Sequence, residues 1–370
     1  MRSTLIYKTA ACFHETGNTR DSIKEWMNMK ALKFTEVRRS EIVEIPKPVP
    51  KAGEVLVKVK TAGICASDTM AFNGRHSYRI PPVITGHELS GEISELGQDV
   101  SSLEIGDRVA IEPHLGCGQC SPCGHGHYNE CEKKGLIGVG DWIGAFSEYV
   151  IAAEPMCHRM PESMSFEEGA ALEPLCVGLH AVRKAGMDVG ERIGILGCGS
   201  IGLMTLLCAK LYTPEKIVAT DISEFKRKMA LQSGADTALD PMSQDPVEEV
   251  LKLTDGKGLD TVFVAVPLES VLKQSFEMCK RMGKVVLIAT YGNEVAFSPR
   301  QVQLYERSLI GSSMYTADDY RSAMALWEKG KLNIQPLITQ RITLDQAPQV
   351  VSEMARGGSP DNVKTIIQIG

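Results

Sequence analysis

The sequence predicts an α/β protein of two domains, a β-rich, barrel-like domain with a doubly wound domain inserted into it. Three observations lead there: the length of 370 residues, a change of hydrophobic periodicity near residue 175, and a terminal strand-like segment placed to return to the first domain. A chain this long exceeds the usual size of one domain, so two are the default.

The first pattern runs from 29 to about 160 as short β-rich segments: VLVKVKTA at 55–62, LSGEISELG at 89–97, DRVAIEP at 107–113 and FSEYVIA at 146–152. Gly and Pro turn signals separate them. After about 175 apolar strands alternate with helical segments. RIGILG (192–197) precedes a helix over 200–211; KIVATD (216–221) precedes one over 223–232; DTVFVAV (260–266) precedes one over 268–281; KVVLIA follows at 284–289. Alternating βα units imply a parallel sheet with helices on both faces. A further helix is expected near 322–330 and a last strand at VKTIIQI. The expected division is therefore 29–175 plus 319–370 for the outer domain and 176–318 for the inserted one.

Residues 1–28 lack periodicity, whereas MKALKF from Met29 alternates like a first strand. They are expected to be a dispensable extension. Lys24-Glu25 can be encoded AAGGAG, a bacterial ribosome-binding sequence, just ahead of Met29, which points to a misassigned start; an arm used in oligomer contacts is the competing reading.

A net charge of −6 without a basic stripe argues against nucleic acid as a partner, because that affinity rests on clustered Lys and Arg. No apolar run approaches the roughly 18–20 residues a membrane span needs, and the N-terminus lacks a signal-like apolar stretch. A cytoplasmic protein acting on small molecules is expected. In a reducing compartment the 11 cysteines are candidates for metal binding, catalysis or burial rather than disulfides.

Gly197-Cys198-Gly199-Ser200-Ile201-Gly202 is a G-x-G-x-x-G directly after a strand and opening a helix. A second strand ends in Asp221, close to the ~20-residue spacing of the acidic group that binds an adenosine ribose. Glycines there permit a tight turn and close approach of a pyrophosphate to helix-terminal N–H groups. Asp221 would repel a 2′-phosphate, which favours NAD over NADP, although Lys226 and Arg227 follow close by. Val266, ending the strand DTVFVAV, is a further candidate for cofactor contact.

Cys117, Cys120, Cys123 and Cys131 are spaced C-x2-C-x2-C-x7-C. Four thiolates on a glycine-rich loop make a closed tetrahedral zinc site of structural type, with an Fe–S cluster as the alternative. His125 and His127 between them are expected bystanders. A second set is dispersed: Cys65 in GICASD, His87 and Glu88 in TGHELSG, and Glu173 and Cys176 in EPLCVGLHA. Each alone reads as a core or surface residue. Pro174 suits the first turn of a helix, which makes Glu173 a flanking residue and lets Cys176 face the same point.

Taken together, GICASD, GHELSG, the four-cysteine segment, EPLCVGLHA, GCGSIG and Asp221 resemble the zinc-dependent medium-chain alcohol and polyol dehydrogenases, in order and spacing from about Met29 to Gly370. Glu173-Pro174-Leu175 resembles the sorbitol dehydrogenase-like branch. The resemblance implies a GroES-like catalytic domain with an inserted Rossmann domain, two zinc ions per chain and NAD as cofactor. It implies a dimer or tetramer that oxidises a secondary alcohol to a ketone. Zinc would act as a Lewis acid on the substrate oxygen while carbon delivers hydride to nicotinamide. A ketone or aldehyde reductase using the same site, and a non-catalytic NAD-binding zinc protein, are the alternatives.

By the same resemblance Cys65, His87 and Glu88 are the favoured direct ligands of the catalytic zinc. Glu173 would exchange between metal and water, and Cys176 stands as a rival ligand or as filling. Ser67 matches the hydroxyl that passes the proton away, with a helix N-cap as its competing role. His180 is expected in helix packing. Met70 and Ala71 stand where relatives carry a proton-relay His and a substrate-contacting Tyr, and Met314 where they carry an Arg, with Tyr315 kept. Arg75 and His76 are candidates to substitute. A pocket less hydrophilic than sorbitol requires is expected.

Overall fold

The computed structural model describes residues 28–358 and 361–370. The expectations for the N-terminal extension lie outside the described residues, apart from Asn28, which opens the first strand.

The first half is built of strands β1 (Asn28–Glu36), β2 (Arg39–Pro46) and β3 (Glu54–Ile64), then a short helix α1 (Ala66–Phe72). Strands β4 (Glu88–Leu96), β5 (Arg108–Ile111), β6 (Tyr149–Ala153) and β7 (Cys157–Arg159) follow. Helix α2 (Phe166–Ala185) leads into the second half. There β8 (Arg192–Leu196), α3 (Ser200–Ala209), β9 (Lys216–Thr220), α4 (Glu224–Ser233) and β10 (Thr237–Leu239) come first. Next are α5 (Pro246–Leu253), β11 (Leu259–Val264), α6 (Glu269–Met278), β12 (Cys279–Leu287) and β13 (Ser308–Gly311). The chain ends with α7 (Ala317–Glu328), β14 (Ile338–Thr343), α8 (Ala347–Ala355) and β15 (Lys364–Gln368).

Two large sheets result. One is parallel and six-stranded in the order β10-β9-β8-β11-β12-β13. Numbered within that half it reads 3-2-1-4-5-6, the dinucleotide-binding order, whose crevice opens between β8 and β11. The other has the order β14-β15-β3-β4-β5-β7, with β6 also paired to β3. The terminal strand β15 thus lies antiparallel to β3, pairing Thr365 with Ile64.

Two expectations need correction. Helix α2 begins eight residues before Pro174, which lies inside it. Its start is fixed by Ser165, whose hydroxyl accepts from the Glu168 N–H while the Glu168 carboxylate accepts from the Ser165 N–H. This capping box satisfies two orphan donors at once and outweighs the pull of a downstream proline. The division drawn at residue 175 consequently falls within this helix. The helix expected to reach 281 stops at Met278, because Cys279 already enters the sheet beside Leu259.

Helix α2 is buried along most of its length and touches β3, β4 and β5 on one side and α3 and α7 on the other. It ends at Gly186, whose φ of +55° suits a residue without a Cβ. Close packing on α3 depends on Gly178: a Cβ there would sit 2.7 Å from the backbone nitrogen of Thr205. No helix among the described residues is long and apolar enough to cross a membrane.

Gly178→Ala therefore forces two backbones apart. We expect a loss of roughly 1–3 kcal/mol in urea unfolding, despite the ~1 kcal/mol that Ala gains over Gly in a helix. An unchanged or raised midpoint would show that the helices do not meet there.

Candidate active site

Three strand ends converge at one end of the seven-stranded sheet. Strand β3 ends at Ile64 and delivers Cys65; β4 starts at Glu88, directly after His87, and pairs Glu88 with Gly63; β15 starts at Lys364, one residue before the partner of Ile64. Register alone brings Cys65, His87 and Glu88 together, with their ligand atoms all within 4.8 Å of one another. A thiol, an imidazole and a carboxylate form a donor set suited to zinc.

Asp68 holds this cluster from behind. It is fully buried; its Oδ2 accepts from the Cys65 N–H at 2.9 Å and its Oδ1 from the Thr85 hydroxyl at 2.7 Å. His87 Nδ1 lies 3.7 Å from Oδ1 and has no hydrogen-bond partner of its own. Burial alone would raise the Asp68 carboxyl, but the charges of His87 and Arg79 and the hydrogen bonds hold it well below the usual range. Conversely, burial and Arg79 press the His87 imidazole down, yet Asp68 leaves it raised to about 10. With Nδ1 turned to a carboxylate, Nε2 is the nitrogen left to face a metal. GICASD carries the signal in retrospect, since Cys65 caps α1 and Asp68 sits at its third position. That corrects the N-cap alternative for Ser67, which lies inside the helix.

Both Glu88 oxygens lie 2.7 Å from Lys364 Nζ, which also donates to the Ile64 carbonyl at 3.1 Å. Both partners are at most 2% exposed. Gly63 makes room, because a Cβ there would fall 1.9 Å from Glu88 Oε2. Nothing near Lys364 in the sequence signals this pairing, made across 276 residues.

Glu173 is buried on α2, and its Oε1 accepts from the Tyr315 hydroxyl at 2.6 Å. Burial raises its carboxyl above the ordinary range, against the opposing charge of His87. Cys176 is fully buried, and no three-residue donor cluster among the described residues includes it or Glu173. Burial, reinforced by Asp319 and Glu173, pushes the Cys176 thiol well up. His180 Nδ1 bonds Asp319 at 2.9 Å and joins α2 to α7, as Arg183 does at 2.6 Å.

Around the cluster, Ser67 Oγ accepts from Arg79 at 2.8 Å. No local motif marks Arg79, which is nevertheless buried. His76, a candidate relay, uses Nδ1 to accept from the backbone N–H of Arg79 and Tyr78. Burial and Arg79 hold its pKa down to about 4, so it stays neutral and offers little basicity there.

The glycine-rich turn opens α3 at the crevice between β8 and β11. Gly197 has a φ of +98°, and a Cβ on it would meet Val266 at 2.3 Å, which places Val266 beside the turn. A Cβ on Gly202 would lie 1.8 Å from the Gly197 carbonyl. Ser200, Ile201 and Gly202 form the first helical turn, where the Ser200 hydroxyl is buried without a partner. Asp221 accepts from the N–H groups of Cys198 and Ser223, both at 2.8 Å. Arg227 turns to the Asp221 carbonyl and pairs with Asp240 at 3.2 Å; Lys226 sits in the first turn of α4.

The sulfurs of Cys117, Cys120, Cys123 and Cys131 lie within 4.8 Å of one another. The N–H groups of Gln119 and Cys120 draw the Cys117 thiol down to about 6. His125 bonds the Ser121 carbonyl, and both His125 and His127 are exposed, outside the cluster.

Known proteins resemble this chain in sequence and fold. A family model for the alcohol dehydrogenase GroES-like domain matches residues 51–162, and one for zinc-binding dehydrogenases matches 200–329. Sorbitol dehydrogenase of Bacillus subtilis (strain 168) is 31% identical over 323 residues, covering 86% of this chain and 91% of that protein. The structure of 2R,3R-butanediol dehydrogenase from Bacillus subtilis superposes with a TM-score of 0.84 at 30% identity, covering 92% and 99% of the two chains. A zinc-binding dehydrogenase structure from Sinorhizobium meliloti 1021, bound to NADP, gives 0.86 at 30% identity, again covering 92% and 99%.

Lys364→Met leaves the Glu88 carboxylate buried without its cation, which we expect to cost about 3–5 kcal/mol in urea unfolding of metal-free protein. Adding Glu88→Leu restores most of that loss. A single variant as stable as the parent would mean that the pair carries no structural weight.

Proposed function

The chain belongs to the zinc-dependent medium-chain dehydrogenase/reductase family, in its sorbitol dehydrogenase-like branch, and from that premise we propose NAD-dependent oxidation of a secondary hydroxyl in a polyol, cyclitol or related small compound. It is an oxidoreductase acting on CH–OH groups. The observation that carries the reading is the convergence of Cys65, His87 and Glu88 in a molecule that also has a dinucleotide turn at the switch point of a parallel sheet.

Cys65, His87 and Glu88 would hold a catalytic zinc, and Cys117, Cys120, Cys123 and Cys131 a structural one. When bound, the catalytic ion polarises the substrate oxygen as a Lewis acid. Every other task falls to the chain. Asp68 orients His87 and the Cys65 N–H. Tyr315 aims the Glu173 carboxylate from α2. Ser67, accepting from Arg79, keeps its own hydroxyl proton to pass on, and so serves as the outlet for the proton the alcohol loses. Arg79 cannot receive that proton, because a guanidinium has no acceptor. Met70 and Met314, apolar where relatives carry polar groups, support surroundings less hydrophilic than a hexitol requires, whereas Ala71 is fully buried in the hydrophobic core and lines no substrate site.

The dinucleotide would lay its pyrophosphate on the first turn of α3, near Gly197, Gly199, Ser200, Ile201 and Gly202, with Val266 beside the turn. NAD is favoured over NADP because Asp221 stands at the ribose position and Arg227, the nearby cation, is committed to Asp240. We further read the chain as cytoplasmic and as a dimer or tetramer, the six-stranded sheet ending in β13 with one edge unpaired among the described strands. The division into 29–175 plus 319–370 and 176–318 fits the two sheets, with α2 shared between them.

Metal analysis and an NAD-reduction screen over sugar alcohols, inositols, amino-alcohols, diols and apolar secondary alcohols test the reading together. We expect two zinc ions per chain, one after Cys65→Ala, and NAD reduction that falls by about 100-fold or more with either Cys65→Ala or Glu173→Ala. A single zinc in the parent and no reduction of NAD by any alcohol would overturn it. Higher efficiency on sorbitol or xylitol than on cyclic or apolar alcohols would overturn the weakly hydrophilic pocket alone.

A further inference from the structure

Arg79 is 3% exposed, and a guanidinium so deeply placed normally meets a carboxylate. It makes no ion pair among the described residues. One nitrogen, Nη1, donates to Ser67 Oγ; Nε is fully buried and has no hydrogen-bond partner among the described residues. Asp68 and His87 are close enough for their charges to interact with it, yet the Asp68 oxygens are already taken by the Cys65 N–H and the Thr85 hydroxyl. The His76 ring is turned with Nδ1 toward the backbone and supplies no negative charge. A planar cation with unused donors therefore stands beside the proposed proton outlet.

Such a fork matches a carboxylate or phosphate group, which it binds through parallel N–H···O bonds. The ring of Tyr78, 5.9 Å from the guanidinium carbon, covers one face of the cation without neutralising it. Resting on the functional reading above, we propose that the substrate is an acidic secondary alcohol, a hydroxy compound whose carboxylate or phosphate is recognised by Arg79 beside Ser67. The acidic group is unchanged in the reaction. The carbinol carbon gives a hydride to NAD, the hydroxyl proton leaves through Ser67, and the C–O bond becomes the ketone C=O.

The same chemistry is available from the cofactor, whose pyrophosphate is also anionic, so the test separates the two sources. Matched pairs differing by one acidic group are compared as substrates: 2-butanol with 3-hydroxybutyrate, sorbitol with gluconate, and galactitol with its 1-phosphate. For the parent enzyme we expect at least one acidic member to exceed its neutral partner in kcat/KM by about 100-fold, the value of a charge-assisted contact. In Arg79→Gln that ratio falls to near unity, mainly through KM, and Arg79→Lys keeps part of it. NADH affinity, read by fluorescence, and zinc content stay at the parental level.

Independent of turnover, acetoacetate binding to the enzyme–NAD complex, in which ketone and cofactor are both oxidised and no hydride can pass, weakens by about tenfold or more in Arg79→Gln. Neutral members that match or exceed their acidic partners in the parent would overturn the proposal and leave the secondary-alcohol reading standing. A loss of NADH affinity in Arg79→Gln with the acid preference intact would overturn it in favour of the cofactor phosphate. No NAD reduction by any member of the panel would bring down the functional reading and this inference with it.

Discussion

The contact between Glu88 and Lys364 is the constraint on which the rest of the site depends. Two opposite charges are buried together at the point where β3, β4 and β15 end, and the price of removing both from water is offset only if the geometry is kept. Both Glu88 oxygens accept from Lys364 Nζ at 2.7 Å, and the third Lys364 donor is engaged by the Ile64 carbonyl. Keeping that geometry ties β15 to the β3–β4 pair at the point where Gly63 faces Glu88, the register that sets Cys65 beside His87. Gly63 belongs to the same constraint, since a side chain there would occupy the carboxylate's position. A residue six from the C-terminus thus buttresses a donor cluster drawn from residues 65 to 88.

Helix α2 carries the constraint into the second half of the molecule. Glu173 and Gly178 are five residues apart on it, about 7.5 Å along the axis. One is bonded to Tyr315 beside the donor cluster, and the other lets α3, the helix of the glycine-rich turn, approach to backbone contact. A rigid helix between the two sheets is what sets the glycine-rich turn at a defined distance from the cluster. His180 and Arg183 hold the far end of the helix to α7 through Asp319. The three polar groups in EPLCVGLHA have therefore separate tasks: a site carboxylate, a buried thiol and an inter-helix anchor.

Much of this was legible in the sequence where short-range chemistry determines it. The βα alternation, the G-x-G-x-x-G turn and the four-cysteine spacing each place their residues within one local segment, and the structure assembles each as expected. The dispersed donors Cys65, His87 and Glu88 were legible as residue types but not as neighbours, because their proximity comes from strand register. Lys364 and Arg79 escaped for a related reason: a lone Lys or Arg in sequence reads as a solvated surface charge, and only burial shows otherwise. The start of α2 was misread although Ser165 and Glu168 spell a capping box, since Pro174 offered a more familiar helix signal. Competing local signals are resolved by which one satisfies more backbone donors.

The four-cysteine lobe is tied to the same site by a continuous set of contacts. Tyr128, three residues before Cys131, donates to Glu112 and accepts from the Ala317 N–H; Asn129 donates to the Ser313 carbonyl at 3.0 Å. Glu112 also binds His158 at 3.0 Å, and His114 bonds the Tyr315 carbonyl at 3.2 Å. The segment from Ser313 to Ala317 is consequently held from the lobe on both sides of Tyr315, the residue that orients Glu173. Met314 within it keeps a φ of +54°, a conformation unfavourable for a residue with a side chain, and the surrounding contacts must over-determine it. A short lobe too rich in glycine to pack a core can impose such a conformation only if its own backbone is fixed, and four cysteine sulfurs gathered within 4.8 Å are the means the sequence provides. Folding of the lobe and placement of the Glu173 carboxylate are in this way one problem, solved by the same residues.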